Sequence, residues 1–255
     1  MPSATPIDVD TDPALDRFSS LPLEVISTHI LKSDFLPEPA DLGRLRAVSR
    51  KMRDAVDATG REIEELNDLE AAYLGYVSLL KDRHSRGVLE DKWEGLVCAA
   101  AARSGKVEEL KALRAENFPL DEATCALAAW GGHLHVLQWA RENGCPWDFQ
   151  TCLYAAKGGH LEVLQWAREN GCPWSEWTCE EAAAGGQLEV LQWARANGCP
   201  WNEGTCAGAA NGGQLEALQW ARENGCPWGE GTCAGAANGG HLRVLKWLRE
   251  NGCPW

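Results

Sequence analysis

The sequence predicts an all-α protein, a helical solenoid preceded by a small helical unit. The first observation is a row of tryptophans that recur every 27 residues: Trp139, Trp166, Trp193, Trp220 and Trp247. The second is a row of cysteines with the same step: Cys145, Cys172, Cys199, Cys226 and Cys253. Copies of this length, without insertions, cannot bury their apolar faces alone, so they stack into a solenoid.

Each copy, called a repeat below, has the pattern of two helices joined by a Gly-Gly turn. In one second helix, at about 100° per residue, the apolar positions cover more than half of the circumference: Leu161, Val163, Leu164, Trp166 and Ala167. Such a helix is buried between its neighbours. Gly171 supplies a left-handed C-cap and Pro173 prevents continuation of the helix. The first helices take their N-caps from short polar joints, at Asp148, Ser175 and Asn202.

Four regions follow one another along the chain. Residues 1–17 have too little apolar content to pack, which predicts a disordered tail. Residues 18–60 carry two apolar stripes at helical spacing. Residues 61–92 predict connecting helices or an N-terminal cap, and residues 93–255 predict the solenoid.

The connecting region predicts one helix from Arg61 to Arg83, because Leu74, Val77 and Leu80 share one apolar stripe. The Arg-Gly pair at 86–87 predicts a break. In the solenoid, the second helices are predicted to begin at positions 106, 133, 160, 187, 214 and 241.

The 18–60 region begins with LPLEV at Leu21 and ends with DLGRLRAVSRKMR, which starts at Asp41. This order and separation resemble the F-box, a small helical motif that docks onto the Skp-type adaptor of cullin-based ubiquitin ligases. Many members of that family carry Trp where this chain has Met52. The resemblance implies that one apolar set contacts the adaptor: Leu21, Pro22, Val25, Ile26, Ile30, Leu42, Leu45, Val48 and Met52. The alternative is a helical cap that only closes the solenoid.

The repeats themselves resemble ankyrin repeats. The pattern TCxxAAxGGHLEVLQWARENG parallels the family's TPLHxAAxxGHxEVVxxLLxxGA. Ankyrin units usually have about 33 residues, and most of the deficit here falls in the joint, where only CPWDFQ separates Gly144 from Thr151. The resemblance therefore implies protein binding with a shortened β-hairpin finger, so the contact surface should shift to the first helices.

The eleven cysteines form two rows, and the second row lies in the first helices: Cys98, Cys125, Cys152, Cys179, Cys206 and Cys233. Equivalent residues of stacked helices lie about 8–10 Å apart, whereas a disulfide requires Cα atoms within about 7 Å. We therefore expect reduced, buried thiols that pack as small apolar groups. The chain has no CxxC motif and no histidine in register with both rows, which argues against a zinc site or another cofactor.

Charge and hydropathy limit the partners. The formal net charge is -13, and no Lys/Arg cluster could neutralise several phosphates, which argues against nucleic acid and anionic membranes. The chain lacks a long apolar run and an apolar stretch near its start, so we expect neither a membrane span nor a secretory signal. The expected location is the cytoplasm, the nucleus or both.

Catalytic motifs have little support. Glycine-rich stretches such as AGAANGG lack the spacing of phosphate-binding loops. His133, His160 and His241 occupy a position that is Gln187 or Gln214 in other repeats. Because Gln cannot act as a proton-transfer base, this position predicts a hydrogen bond in a turn, with no catalytic residue.

The outward face of the first helices is the candidate target-binding surface. Cys152, Ala155 and Ala156 are expected to point inward, which places the intervening positions towards solvent. Large and charged residues at these positions in three repeats form the candidate set: Leu127, Trp130, Gln150, Leu153, Tyr154, Lys157, Trp177, Glu180 and Glu181. Exposed apolar groups clustered on a polar surface favour recognition. Drift without selection would give the same pattern.

A second row of tryptophans lies in the joints: Trp147, Trp174, Trp201, Trp228 and Trp255. This row predicts a stacked apolar ladder that replaces the missing hairpin, or else a partly exposed binding stripe. Because Trp255 ends the chain inside a repeat, we expect either a longer array or a partner over the last helix. The function predicted first is target presentation to a ubiquitin ligase, the alternative is a general protein-binding scaffold, and an enzyme has least support.

Overall fold

The computed structural model describes residues 67–89 and 93–254, and these residues form helices and loops without any β-strand. Contacts divide the chain into two compact units, Met1–Ala101 and Ala102–Trp255. The predicted all-α class and the stacked helix pairs of the solenoid are confirmed. The predicted disordered tail, the F-box-like residues 18–60 and Trp255 lie outside the described residues. No helix among the described residues is both long and apolar enough to span a membrane.

The described part of the first compact unit comprises two short helices, α1 (Asp68–Tyr73) and α2 (Val77–Ser85), and most of α3 (Gly95–Arg103). Asn67 caps α1 by accepting the N–H of Glu70 at 2.9 Å. The prediction of one helix up to Arg83 is wrong, because Gly75 adopts φ +77° and interrupts it. Leu74 consequently lies outside the buried stripe and is 48% exposed. The predicted break at 86–87 is confirmed, with Gly87 at φ +66°.

The second compact unit is built from helix pairs. The first helices of the pairs are α5 (Glu122–Trp130), α7 (Phe149–Gly158), α9 (Glu176–Ala184), α11 (Glu203–Asn211) and α13 (Glu230–Asn238). The second helices are α4 (Val107–Ala115), α6 (Leu134–Glu142), α8 (Leu161–Glu169), α10 (Leu188–Ala196), α12 (Leu215–Glu223) and α14 (Leu242–Glu250). Each second helix starts one residue after its predicted position. Successive first helices lie side by side, and each also packs on its own second helix.

The core of this unit comes from the same positions in every repeat. First helices bury Thr, Cys and Ala, as at Thr151, Cys152 and Ala155. The second helices α6, α8, α10 and α12 bury a Val or Ala, a Leu and a small residue, as at Val163, Leu164 and Ala167, whereas Trp166 is only half-buried. Because these side chains meet the neighbouring repeats, the 27-residue period follows from packing.

The Gly-Gly turns make room for the residue that begins the next repeat's second helix. A Cβ atom on Gly132 would lie 2.6 Å from Nδ1 of His160, and one on Gly158 would lie 2.5 Å from its Cδ2. The Nε2 atom of His160 lies 2.9 Å from the carbonyl oxygen of Trp130, so Nε2 carries the proton. The predicted hydrogen bond of this histidine is confirmed, and it joins two repeats.

The joints tie each repeat to the next. Gly171 ends α8 at φ +83°, as predicted, and the thiol of Cys172 donates to the carbonyl oxygen of Asp148 at 3.3 Å. Trp174 meets Trp193 edge to face, with ring centroids 6.0 Å apart, and the Arg168 guanidinium lies 4.1 Å from the centre of the Trp174 ring. The four joint tryptophans that the structure describes therefore do not stack on one another. Each of these four pairs with the second-helix tryptophan of the following repeat.

All eleven cysteines lie within the described ranges, and all are buried and free of disulfides, as predicted. The sequence did not reveal that the two rows approach each other. A hydrogen bond with the thiol of Cys145 and burial together raise the pKa of the Cys125 thiol. A hydrogen bond with Cys172 and burial raise the pKa of the Cys152 thiol in the same way. The thiols of Cys125 and Cys152 therefore stay protonated and serve as packing groups.

Candidate binding surface on the first helices

Three neighbouring first helices, α5, α7 and α9, carry the large side chains of the candidate surface. The indole of Trp130 on α5 stacks on the phenol ring of Tyr154 on α7, with centroids 5.0 Å apart and planes 5° from parallel. Both rings are half-buried. Offset-stacked rings of this kind form a rigid platform, because each ring restricts the rotamers of the other.

Cationic groups surround this platform. The guanidinium of Arg103 lies 5.3 Å from the centre of the Trp130 ring, and Nζ of Lys157 lies 5.8 Å from it. Lys157 also forms an ion pair with Glu181 on α9, at 3.0 Å. Burial lowers the pKa of Arg103. The ion pair continues the surface from α7 to α9, so these predicted residues lie together.

A second aromatic pair lies on the same helices. Phe149 on α7 contacts Trp177 on α9, with ring centroids 5.5 Å apart and planes inclined by 54°. Trp177 is 51% exposed, the largest exposure of any aromatic residue among the exposed hydrophobic side chains that the structure describes. Sequence reasoning missed Phe149, although a signal existed: the equivalent position is Glu in the neighbouring first helices.

One residue of the predicted set does not belong to this surface. Leu127 is only 3% exposed, so its predicted exposure is wrong. Neighbouring first helices pack side by side and cover part of the face that a lone helix would leave open. Gln150 is exposed, whereas Leu153, Glu180 and Glu181 are half-buried.

The glycines at equivalent positions in the later repeats have a packing role that the sequence did not reveal. A Cβ atom on Gly208 would lie 3.0 Å from the backbone oxygen of Glu180, and one on Gly235 would lie 2.8 Å from that of Ala207. These glycines therefore allow α9, α11 and α13 to approach closely. They face a neighbouring helix, although the pattern placed them towards solvent.

The chain forms a cleft of about 610 Å³ at the beginnings of α11 and α13. The cleft is lined by nine residues: Glu180, Asn202, Glu203, Gly204, Ala207, Pro227, Gly229, Gly231 and Thr232. Burial and the nearby carboxylates of Glu181 and Glu176 raise the pKa of Glu180 above its usual range. The electrostatic environment of this cleft is negative, and its walls are mostly small residues.

Another cleft, of about 430 Å³, lies on the second-helix side between Trp174 and Trp193. Arg168 also lines this cleft, where its guanidinium covers the Trp174 ring. Within residues 67–89 and 93–254, no group of three or more His, Cys, Asp or Glu side chains is arranged to hold a metal ion.

No protein-family profile and no curated protein matches this chain. The chain is similar to two solved helical-repeat structures. For the human ASB11 ankyrin repeat domain, the TM-score is 0.48 at 18% identity, over 61% of this chain and 83% of that one. For the pentatricopeptide repeat protein PPR10 in complex with an 18-nt psaJ RNA element, the TM-score is 0.35 at 13% identity, over 95% of this chain. The chain spans 48% of the length of PPR10.

Proposed function

We propose that this protein is a non-enzymatic scaffold that binds a partner protein through the first helices α5, α7 and α9. The observation that carries the proposal is the aromatic surface formed by two ring pairs on neighbouring first helices, Trp130 with Tyr154 and Phe149 with Trp177. Half-exposed aromatic rings held by neighbouring rings provide contact area at little cost in conformational entropy, as in the centres of protein interfaces.

The surface also has the polar features of an interface. The ion pair of Lys157 and Glu181 borders the aromatic rings and is partly open to solvent. A partner that covers Trp177 would bury an indole that is half exposed in the free protein. Burial of such an anchor contributes most of the affinity in many complexes, whereas the surrounding polar groups contribute orientation.

The test compares two full-length variants, Trp177→Ala and Val88→Ala, as baits. Val88 is 58% exposed and lies in the loop after α2, so it controls for non-specific adhesion. A partner that is captured with the wild type is purified, and its affinity for each variant is measured by calorimetry. We expect Trp177→Ala to weaken binding by about 2 kcal/mol or more and Val88→Ala to leave it unchanged. Equal affinity for both variants would exclude the aromatic surface as the interface.

We also propose, from the sequence pattern alone, that residues 18–60 link this scaffold to a Skp-type adaptor. The F-box resemblance of LPLEV and DLGRLRAVSRKMR supports this role. Purified full-length protein is mixed with the adaptor and resolved by gel filtration. Co-elution that is lost on Leu21→Asp with Val25→Asp, at unchanged thermal unfolding, would support the link. Separate elution of the folded wild type would leave the general scaffold as the function.

A further inference from the structure

We propose that the cleft at the beginnings of α11 and α13 binds a basic, extended segment of the partner protein, with an arginine or lysine side chain placed against Glu180. This inference rests on the proposed protein-binding function and adds the chemistry of the partner. The occupant follows from three features of the structure, namely the volume of the cleft, the charge on its walls and an indole that lies three residues before Glu180 on α9.

The volume results from glycines at two equivalent positions. Gly204 and Gly231 stand where the repeat before them has Trp177. A Cβ atom on Gly231 would meet nothing within 4 Å, and one on Gly204 would lie 2.6 Å from Oε2 of Glu180. The cleft of about 610 Å³ therefore exists because these side chains are missing. Its volume lies in the range of about 300–1,000 Å³ that is usual for binding sites.

The negative charge on the walls of the cleft favours a cationic group. Glu180 and Glu203 both line the cleft, and Glu176 lies one turn before Glu180 on α9. Glu181 differs from Glu180 because it already has Lys157 as its partner at 3.0 Å. Among the described ion pairs none includes Glu180, and burial, with a further contribution from the carboxylates of Glu181 and Glu176, raises the pKa of Glu180. A guanidinium or ammonium group in the cleft would relieve this repulsion.

The indole of Trp177, on the same helix as Glu180, favours the same occupant. Trp177 and Glu180 are three residues apart on one helix, so they lie on the same face. An exposed indole accepts a cation over its ring, at about 0.5–1 kcal/mol, or the apolar stem of an arginine or lysine. Indole and carboxylate together therefore recognise both parts of a long basic side chain. The net charge of -13 further favours the approach of a basic segment.

The test uses a fluorescein-labelled peptide of alternating arginine and serine with full-length protein, followed by fluorescence anisotropy. The matched probe is the same peptide with neutral citrulline in place of arginine. We expect the arginine peptide to bind, with an affinity that falls as salt is added, and the citrulline peptide to bind at least tenfold more weakly. Equal binding of both peptides, or no binding of either, would overturn the proposal.

Four variants locate the site. We expect Glu180→Gln to weaken the arginine peptide about tenfold or more and Glu181→Gln to have a smaller effect, because Glu181 is already paired with Lys157. Gly231→Trp should fill the cleft and block binding, whereas Gly231→Ala, which adds one atom in open space, should not. Circular dichroism checks that each variant folds. Unchanged affinity of Glu180→Gln or Gly231→Trp would contradict the proposed site.

The outcomes separate this inference from the proposed function. If the arginine peptide does not bind, but Trp177→Ala still weakens binding of a purified partner, the aromatic surface remains the proposed interface and the basic segment is rejected as the occupant of the cleft. If the peptide binds as expected, but Trp177→Ala leaves the affinity for every purified partner unchanged, the cleft remains a binding site for basic segments and the aromatic interface is rejected.

Discussion

From α6 onwards, the second helices and joints carry nearly the same residues, whereas the first helices α5, α7 and α9 differ from one another and from the identical pair α11 and α13. This difference follows from the contacts that each position makes with neighbouring residues. A second-helix residue such as Leu164 is fully buried, and a joint residue such as Trp174 touches the tryptophan of the following repeat. A first-helix residue such as Trp177 is half exposed and can change without disturbing these contacts.

The same comparison separates the first helices into two groups. In α5, α7 and α9 the outward positions carry rings and charges that meet across helices, such as Trp130 with Tyr154. In α11 and α13 the equivalent positions carry glycines that allow close approach of the backbones, as at Gly208. The outward position therefore has two roles. In α5, α7 and α9 it forms a contact surface, and in α11 and α13 it allows the helices to pack closely.

The largest expected effect tests the buried side of this comparison. Leu164→Ala removes a fully buried side chain and should lower the free energy of unfolding by about 2–5 kcal/mol. Trp177→Ala truncates a larger but half-exposed side chain and should cost clearly less. Urea unfolding followed by circular dichroism measures both. A loss for Trp177→Ala as large as that for Leu164→Ala would show that the first-helix surface is structural.

The next effect concerns the contact between repeats at the Gly-Gly turns. Gly132 and Gly144 have similar backbone angles, φ +74° and φ +79°, but only Gly132 faces a histidine ring, that of His160. Substitution by Ala at either position costs about 1–2 kcal/mol for the left-handed backbone. Gly132→Ala should lower the free energy of unfolding by more than Gly144→Ala, because the His160 ring must move and lose its hydrogen bond to the Trp130 carbonyl.

The matched control for this prediction is Gly144→Ala, since a Cβ atom there meets nothing within 4 Å. The difference between the two free energies of unfolding in urea isolates the contact between repeats from the backbone strain. Equal losses would mean that the histidine ring adjusts freely and does not join the repeats.

The sequence predicted most of the fold, because the 27-residue period records which side chains meet a neighbouring repeat. The buried cysteines, the left-handed Gly171 and the turn histidines followed from this period. The errors arose where one helix was considered without its neighbours. Leu127 points outward on a lone helix, but the adjacent helix covers it.

The candidate surface was predicted less completely than the fold. Trp130, Tyr154 and Lys157 were identified because large residues at outward positions are conspicuous, and they do lie together. Phe149 was missed because it lies in the first turn, outside the positions that were compared. The cleft could not be predicted, because glycines leave a volume only when the distances between helices are known.

A smaller effect tests the aromatic pairs of the joints. Trp174 and Trp193 meet edge to face, with centroids 6.0 Å apart. A double-mutant cycle with Leu at both positions should give a coupling energy of about 0.5–1.5 kcal/mol. Trp174 with Trp247, which belongs to a different pair, is the control and should show additive losses in urea unfolding. Additive losses for Trp174 with Trp193 as well would mean that the rings fill space without a specific contact.

The smallest effect concerns the pH dependence of the turn at His133. Burial lowers the pKa of His133, and the neighbouring His135, Arg103 and His160 act in the same direction. The unfolded chain, with a usual histidine pKa of about 6.5, then binds the proton more readily than the folded chain. The stability that neutral His133 contributes is therefore fully present above the pKa of histidine in the unfolded chain. It falls as the pH decreases towards the lowered pKa of His133 in the folded chain.

His133→Gln should make this fall shallower, measured as the urea midpoint between about pH 5 and pH 7.5. Gln already occupies the equivalent position at Gln187 and Gln214, where the neighbouring glycines accommodate it, so the substitution fits the turn. Because the effect of a half-exposed group is reduced by solvent, the change is expected to be small. An unchanged slope would mean that the turn accepts a charged ring, and the contacts between repeats would then tolerate protonation.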